Sequence, residues 1–162
     1  QALAYPAGTF DRVIANHMLY HVPDIPAALA EVRRVLKPDG VFYCTTMGAR
    51  GMRGYLHDTL RRFDPAIDAF GDTPSFTLQN GEKLLRAVFS DVRRIDFEDT
   101  LHVTDTRDLM DWIESSPSAQ GLAPGSIEGL YDYFEAIRTR EGAIDIPKEA
   151  GMFVSRGSAA AV

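Results

Sequence analysis

Two short apolar runs joined by a capped helix constrain this chain more than any other feature. Arg12-Val13-Ile14-Ala15 follows Gly8-Thr9-Phe10-Asp11 and suits a buried strand, because β-branched side chains pack well on a pleated surface. His21-Val22-Pro23-Asp24 comes next, and Asp24 predicts an N-cap for a helix with Pro26 at its second position. Ile25, Ala28, Leu29, Val32, Val35 and Leu36 recur at helical spacing and form one apolar face. Arg33, Arg34 and Lys37 fall in the last turns, where cations favour the helix dipole. Lys37-Pro38-Asp39-Gly40 then stops the helix. Pro38 disfavours helical backbone at Lys37, and Gly40 is expected to take a positive φ. A second strand over residues 41–46 follows at once. A helical crossover of this length predicts that the two strands run parallel.

Further along, Gly48, Gly51 and Gly54 punctuate a loop into a helix expected over residues 55–63. Gly71-Asp72-Thr73-Pro74 predicts another break. Residues 82–89 read as a helix with Leu84, Leu85, Val88 and Phe89 inward, and residues 92–97 as a strand extended toward Val103. Residues 105–115 and 127–140 read as two amphipathic helices, separated by the Ser/Pro/Gly-rich residues 116–125. Trp112, Tyr131, Tyr133 and Phe134 lie at helical spacing on these two helices and are expected in the core. Met152-Phe153-Val154 makes a short final strand. Strands alternating with helices predict an α/β sheet with helices on its faces.

Composition bounds the function. The 162 residues are 45% hydrophobic and 25% charged, the profile of a soluble globular domain able to bury a sizeable core. Cys44 is the single cysteine, so no disulfide forms within the chain, and a reducing cytoplasm is the expected location. The net charge is -6 and no basic run exceeds Arg61-Arg62 or Arg93-Arg94, which argues against a nucleic-acid partner. No stretch approaches the ~20 consecutive apolar residues of a membrane span. Gln1 is no initiator methionine and residues 1–10 read as a loop entering a strand, so the chain is expected to be a piece of a longer domain.

Three familiar chemistries fail on spacing. Gly48-x-x-Gly51-x-x-Gly54 has neither the dinucleotide fingerprint nor the P-loop lysine. His17, His21, His57 and His102 contain one i,i+4 pair, but Pro23 and the strand end oppose a helical metal pair, so no metal is expected. Serine and histidine show no nucleophile-elbow pattern.

Phe10-Asp11-Arg12-Val13-Ile14-Ala15-Asn16-His17-Met18-Leu19-Tyr20-His21-Val22-Pro23-Asp24, together with Arg34-Val35-Leu36-Lys37-Pro38-Asp39-Gly40-Val41-Phe42, resembles class I S-adenosylmethionine-dependent methyltransferases. The likeness is to the small-molecule branch that includes ubiquinone and menaquinone biosynthetic enzymes. It is strong over residues 1–48 and continues more weakly through Phe76-Thr77-Leu78-Gln79-Asn80-Gly81 toward Val154. The family usually carries Lys-Pro-Gly-Gly where this chain has Lys37-Pro38-Asp39-Gly40, a mild departure because aspartate tolerates turn geometry.

The resemblance implies a Rossmann-like sheet restricted to the family's strands 4 to 7, with flanking helices and a helical insertion before the last strand. Residues 1–157 would then form part of a methyltransferase domain lacking its N-terminal cofactor-binding half, and residues 158–162 a disordered tail. The family's glycine-rich turn, ribose-holding acid and adenine-contacting segment are expected upstream of Gln1. Methyl transfer is thereby implied for the full-length parent, while these 162 residues alone are expected to be inactive and to bind the cofactor weakly. A strand without its family neighbour is also expected to make the fragment self-associate.

In an open α/β sheet, ligands bind beyond the carboxyl ends of the strands. Asn16, His17 and Met18 fall at that end of the first strand, and the resemblance assigns them to the methionine side of S-adenosylmethionine. Leu19 and Tyr20 are assigned to the small-molecule substrate, with Met18 and Leu19 equally readable as packing on the sheet. His21 is the candidate proton acceptor for the nucleophile, its alternative being a loop-ordering hydrogen bond. Two other functions stay open at this point: a non-catalytic methyltransferase-like partner protein, and a nicotinamide-dependent oxidoreductase of similar architecture.

Overall fold

The computed structural model describes residues 2–66, 68, 70, 74–119 and 122–159. The expected break at residues 71–73, the tail residues 160–162 and residues 120–121 of the Ser/Pro/Gly-rich segment lie outside the described residues.

Strand β1 covers Phe10–Asn16, and α1 covers Ile25–Val35. Asp24 caps α1 as its chemistry predicts, its Oδ1 accepting from the Ala27 N–H at 3.0 Å. Ile25, Leu29, Val32 and Val35 are buried along one stripe of the helix. Strand β2 covers Leu36–Met47 and so starts before the expected residue 41. Leu36, expected as the last helical residue, is already extended at φ -75° and ψ 142°. The β1–β2 register passes from Phe10 opposite Leu36 to Arg12 opposite Val41, so residues 37–40 bulge out of the ladder. The Arg33 guanidinium holds this bulge by donating to the Lys37 carbonyl at 3.1 Å. Gly40 does not have the positive φ expected of it. It is needed for close approach instead: a Cβ there would lie 2.9 Å from Leu36 Cδ2 and 3.1 Å from the Lys37 carbonyl oxygen.

The remaining elements are α2 (Met52–Leu60), α3 (Gly81–Arg86), β3 (Asp91–Val103), α4 (Thr106–Ser115), α5 (Pro124–Glu141) and β4 (Ile144–Arg156). The four-stranded sheet runs β1-β2-β4-β3. β1 is parallel to β2, as the crossover dictates, and β2 is antiparallel to β4 with Cys44 opposite Phe153. The α/β class therefore holds, and α4 and α5 form the helical insertion before the last strand. That strand is longer than the expected residues 152–154.

The chain divides into two compact units, one of residues 1–49, 74–98 and 149–162, the other of residues 50–73 and 99–148. In the first, Leu29, Phe42, Cys44, Phe76, Phe89 and Phe153 are the buried centre. In the second, Leu56, Leu60, Met110, Ile113, Leu130 and Phe134 form another, with Tyr131 and Tyr133 packed against it. Trp112, expected in the core, is instead 43% exposed, one face stacked on Phe70 with ring centroids 6.0 Å apart.

A charged clamp on α1 fastens the first residues of the chain. Glu31 accepts from the Leu3 N–H at 2.9 Å and from Arg34 Nε at 2.7 Å. Arg34 in turn donates to the Tyr5 carbonyl at 2.9 Å and the Leu3 carbonyl at 3.0 Å. The Arg34 hydrogen bond, helped by the Leu3 amide, holds the Glu31 carboxyl down at about 2 instead of 4.5.

Two predictions rest on these contacts. Because the folded Glu31 value is depressed, its contribution is complete above pH 4.5 and is lost as pH falls toward about 2. The Leu3 amide resonance should titrate with that low midpoint, and Glu31→Gln should abolish the transition; a midpoint near 4.5 would mean the clamp is not formed. In β4, a Cβ on Gly151 would stand 2.8 Å from the Ile95 backbone oxygen and 2.9 Å from Leu78 Cδ2. Gly151→Ala should cost about 1–3 kcal/mol by overpacking, read as a lower denaturation midpoint at unchanged slope.

Candidate functional site at the end of the first strand

The ladder between β1 and β2 ends at Asn16 opposite Thr45. There the chain leaves the sheet abruptly. His17 takes a left-handed φ of 47°, a conformation histidine adopts more readily than β-branched residues do. Its N–H stays fixed to the sheet, donating to the Thr45 carbonyl at 3.1 Å and to Thr45 Oγ1 at 3.2 Å. Thr45 Oγ1 also donates to Asn16 Oδ1 at 3.4 Å. Asn16 is exposed and its amide nitrogen makes no hydrogen bond among the described residues, which leaves two donors available.

Immediately after the left-handed step, a 3-10 turn spans Leu19–His21, closed by the His21 N–H on the Met18 carbonyl at 3.0 Å. Leu19 anchors the turn, 2% exposed within the first core, and Tyr20 is half-buried against the same cluster. The Tyr20 carbonyl accepts from Ser75 Oγ at 3.2 Å. The His21 ring lies against the Tyr20 ring, centroids 4.5 Å apart and tilted by 56°, and His21 is exposed. The six residues expected at the site thus occupy one strand-end turn. Asn16, His17, Met18 and His21 present side chains to solvent, while Leu19 belongs to the floor beneath them.

Beside the turn, an apolar cavity of about 330 Å³ runs along β1 and α1. Leu3, Val13, Ile14, Met18 and Val32 line it, and Glu31 is a polar group at its wall. Ile14 is 65% exposed there, on a strand that among the described residues has a sheet neighbour on one side only. Cys44 is fully buried in the first unit, and burial pushes its thiol up to about 12, which leaves it without thiolate reactivity.

Two features escaped the sequence reading. The Glu31–Arg34 clamp has only an i,i+3 spacing as its signal in the sequence. In the second unit, His102 Nδ1 and Asp145 Oδ1 meet at 2.6 Å across 43 residues of sequence, a separation no local pattern reveals. Among the described residues, no three His, Cys, Asp or Glu side chains are grouped to hold a metal ion, and no helix is long and apolar enough to cross a membrane.

Comparison with known proteins bears on the same segment. Residues 1–44 match the family described as a methyltransferase domain. The mitochondrial arginine-hydroxylase NDUFAF5 of Rattus norvegicus is 46% identical over 46 residues, 28% of this chain and 13% of that protein. An uncharacterized methyltransferase of Schizosaccharomyces pombe is 34% identical over 77 residues, 45% of this chain and 28% of its own length. The chain therefore aligns with under a third of either relative. A protein of Bacillus halodurans C-125, solved as a candidate methyltransferase, shares the fold at a TM-score of 0.55 and 13% identity, over 95% of this chain and 72% of that one. The chain thus matches a methyltransferase-domain family over residues 1–44 and shares its α/β fold with the Bacillus halodurans structure.

Proposed function

We propose that the full-length protein transfers the methyl group of S-adenosylmethionine to a small-molecule acceptor, with the turn after β1 beside the methionine end of the cofactor. The observation that carries this reading is the coincidence of the matched segment with a strained, exposed strand-end turn at the carboxyl edge of a parallel pair. The donor set fits that end of the molecule. The free Asn16 amide and the exposed His17 ring suit an amino-acid carboxylate, and the Met18 side chain gives an apolar wall. When bound, the cofactor supplies an electrophilic methyl group. His21 accepts the proton of the acceptor nucleophile, and Tyr20, held over buried Leu19, positions that acceptor.

Nothing in the 162 residues supplies the glycine-rich turn of the resembled family, and Glu31, the acid at the wall of the cavity, is already engaged by Leu3 and Arg34. We therefore assign those contacts to sequence outside this chain. A second reading, hydroxylation chemistry, is favoured by one fact: the rat relative bearing that name is 46% identical over its 46 aligned residues. Mass analysis of the product formed by the full-length protein separates the two. The cytoplasmic placement rests on Cys44, buried and unpaired.

Asn16→Ala should weaken S-adenosylhomocysteine binding to the full-length protein about tenfold in calorimetric titration, the effect of losing one charge-assisted hydrogen bond. His21→Ala should keep that affinity and lower turnover about a hundredfold. Unchanged affinity removes Asn16 from the site, and unchanged turnover assigns His21 to ordering the turn.

The open edge of β1, with Ile14 exposed beside an apolar cavity, also supports self-association of the isolated chain through a two-fold pairing of β1 edges. Asp11 and Arg12 put charge on this strand, and Lys37 pairs with Asp11 at 2.8 Å, so the edge is only partly protected. Light scattering at micromolar concentration should report a dimer. A strict monomer whose β1 amides exchange freely contradicts the pairing.

A further inference from the structure

The second unit holds a cavity of about 320 Å³, large enough for a small organic molecule. Its apolar wall includes Met52, Leu101 and Trp112, of which Leu101 and Trp112 are exposed. Phe70 covers one face of Trp112 at an interplanar angle of 14°, with Arg53 over Phe70 in turn.

The polar groups of the wall are His102, Thr104 and Asp108, and no described lining residue is lysine or arginine. Asp108 and Trp112 stand four residues apart on α4 and so share one face of the helix. Asp108 makes no ion pair or hydrogen bond among the described residues. Other acids of the unit are already engaged: Asp99 by Lys148, Glu135 by Arg138 and Glu141 by Arg140. Asp145 takes the Nδ1 side of His102 at 2.6 Å, which in the neutral ring leaves Nε2 as an acceptor. The cavity therefore offers a carboxylate, an imidazole acceptor and an indole face and, among the described residues, no lysine or arginine.

The charge of the whole unit has the same sign. Residues 50–73 and 99–148 hold eight Lys/Arg against fourteen Asp/Glu, whereas the first unit holds nine of each. The net -6 of the chain thus resides entirely in the unit that carries the cavity.

We propose that this cavity is a binding site for a small amphipathic organic amine, its ammonium between Asp108 and the Trp112 ring and its apolar body against Met52 and Leu101. With no lysine or arginine among its described lining residues, the cavity selects against carboxylate and phosphate ligands of the same size. This concerns ligand binding by the second unit and stands apart from the methyl-transfer reading.

Trp112 is the single tryptophan of the chain, so its emission reports on this cavity alone. The probe is 2-phenylethylamine, with phenylacetate as a control of the same ring and opposite charge. The amine should change Trp112 emission saturably and phenylacetate should not. Asp108→Asn should weaken amine binding about fivefold, and His102→Gln should weaken it as well. Circular dichroism checks that α4 survives the first substitution, and the phenylacetate comparison needs no variant. Equal binding of the two probes, absence of saturation with the amine, or unaltered affinity in a folded Asp108→Asn variant would each overturn the proposal.

Discussion

Strand β2 carries the first unit because it joins a parallel neighbour to an antiparallel one: β1 lies on one side and β4 on the other. Alternation along the strand buries Phe42, Cys44 and Thr46 and leaves Tyr43, Thr45 and Met47 half-buried. Phe42 stacks on Phe89 at 5.8 Å, and Thr46 Oγ1 donates to the Phe76 carbonyl at 3.0 Å, tying β2 to chain 30 residues away. Burying a side chain such as Phe42 contributes about 1.5–3 kcal/mol, so slipping the ladder by one residue would expose several such contributions together. Register is therefore fixed by the core, and register is what sets Thr45 opposite Asn16.

From that pairing the character of the turn follows. A chain continuing straight past Asn16 would have kept its side chains alternating across the sheet. Instead Thr45 holds the His17 N–H with both its carbonyl and its hydroxyl while His17 turns left-handed. A strained backbone persists only where its surroundings over-determine it, and here two acceptors on one neighbouring residue do so. The turn then drops Leu19 into the core, and that anchoring leaves the flanking Met18 and His21 exposed.

Legibility followed how many local signals agreed. For α1, cap, proline, periodicity and charge all pointed the same way, and the helix begins where they indicate. The end of α1 was less legible, since Pro38 fixes where a helix cannot continue but not where the strand resumes pairing. Most of β3 is exposed, with no alternation to read, and β4 carries Pro147, Lys148 and Glu149 before its apolar stretch, so both strands are longer than their patterns. Trp112 shows a different failure. Helical spacing tells which residues share a face, not whether anything covers that face. The candidate turn was readable because its residues are contiguous at a strand end, whereas the His102–Asp145 contact needs the fold to bring it together.

The two units use arginine differently, although they hold nearly equal numbers of cations, nine in the first and eight in the second. In the first, guanidinium groups serve backbone carbonyls: Arg33 on Lys37, Arg34 on Leu3 and Tyr5, Arg86 on Val92, Arg94 on Leu78. Each of these contacts gives a backbone carbonyl a charged donor, so each cation has a structural partner in the chain. In the second unit, arginines lie over rings: Arg53 on Phe70, Arg62 on Tyr133, Arg107 on Tyr131. Aromatic faces accept a cation without needing its full complement of hydrogen bonds. The unequal charge lies in the acids, fourteen in that unit against nine in the first, and Asp108 lines its cavity without a counter-ion among the described residues.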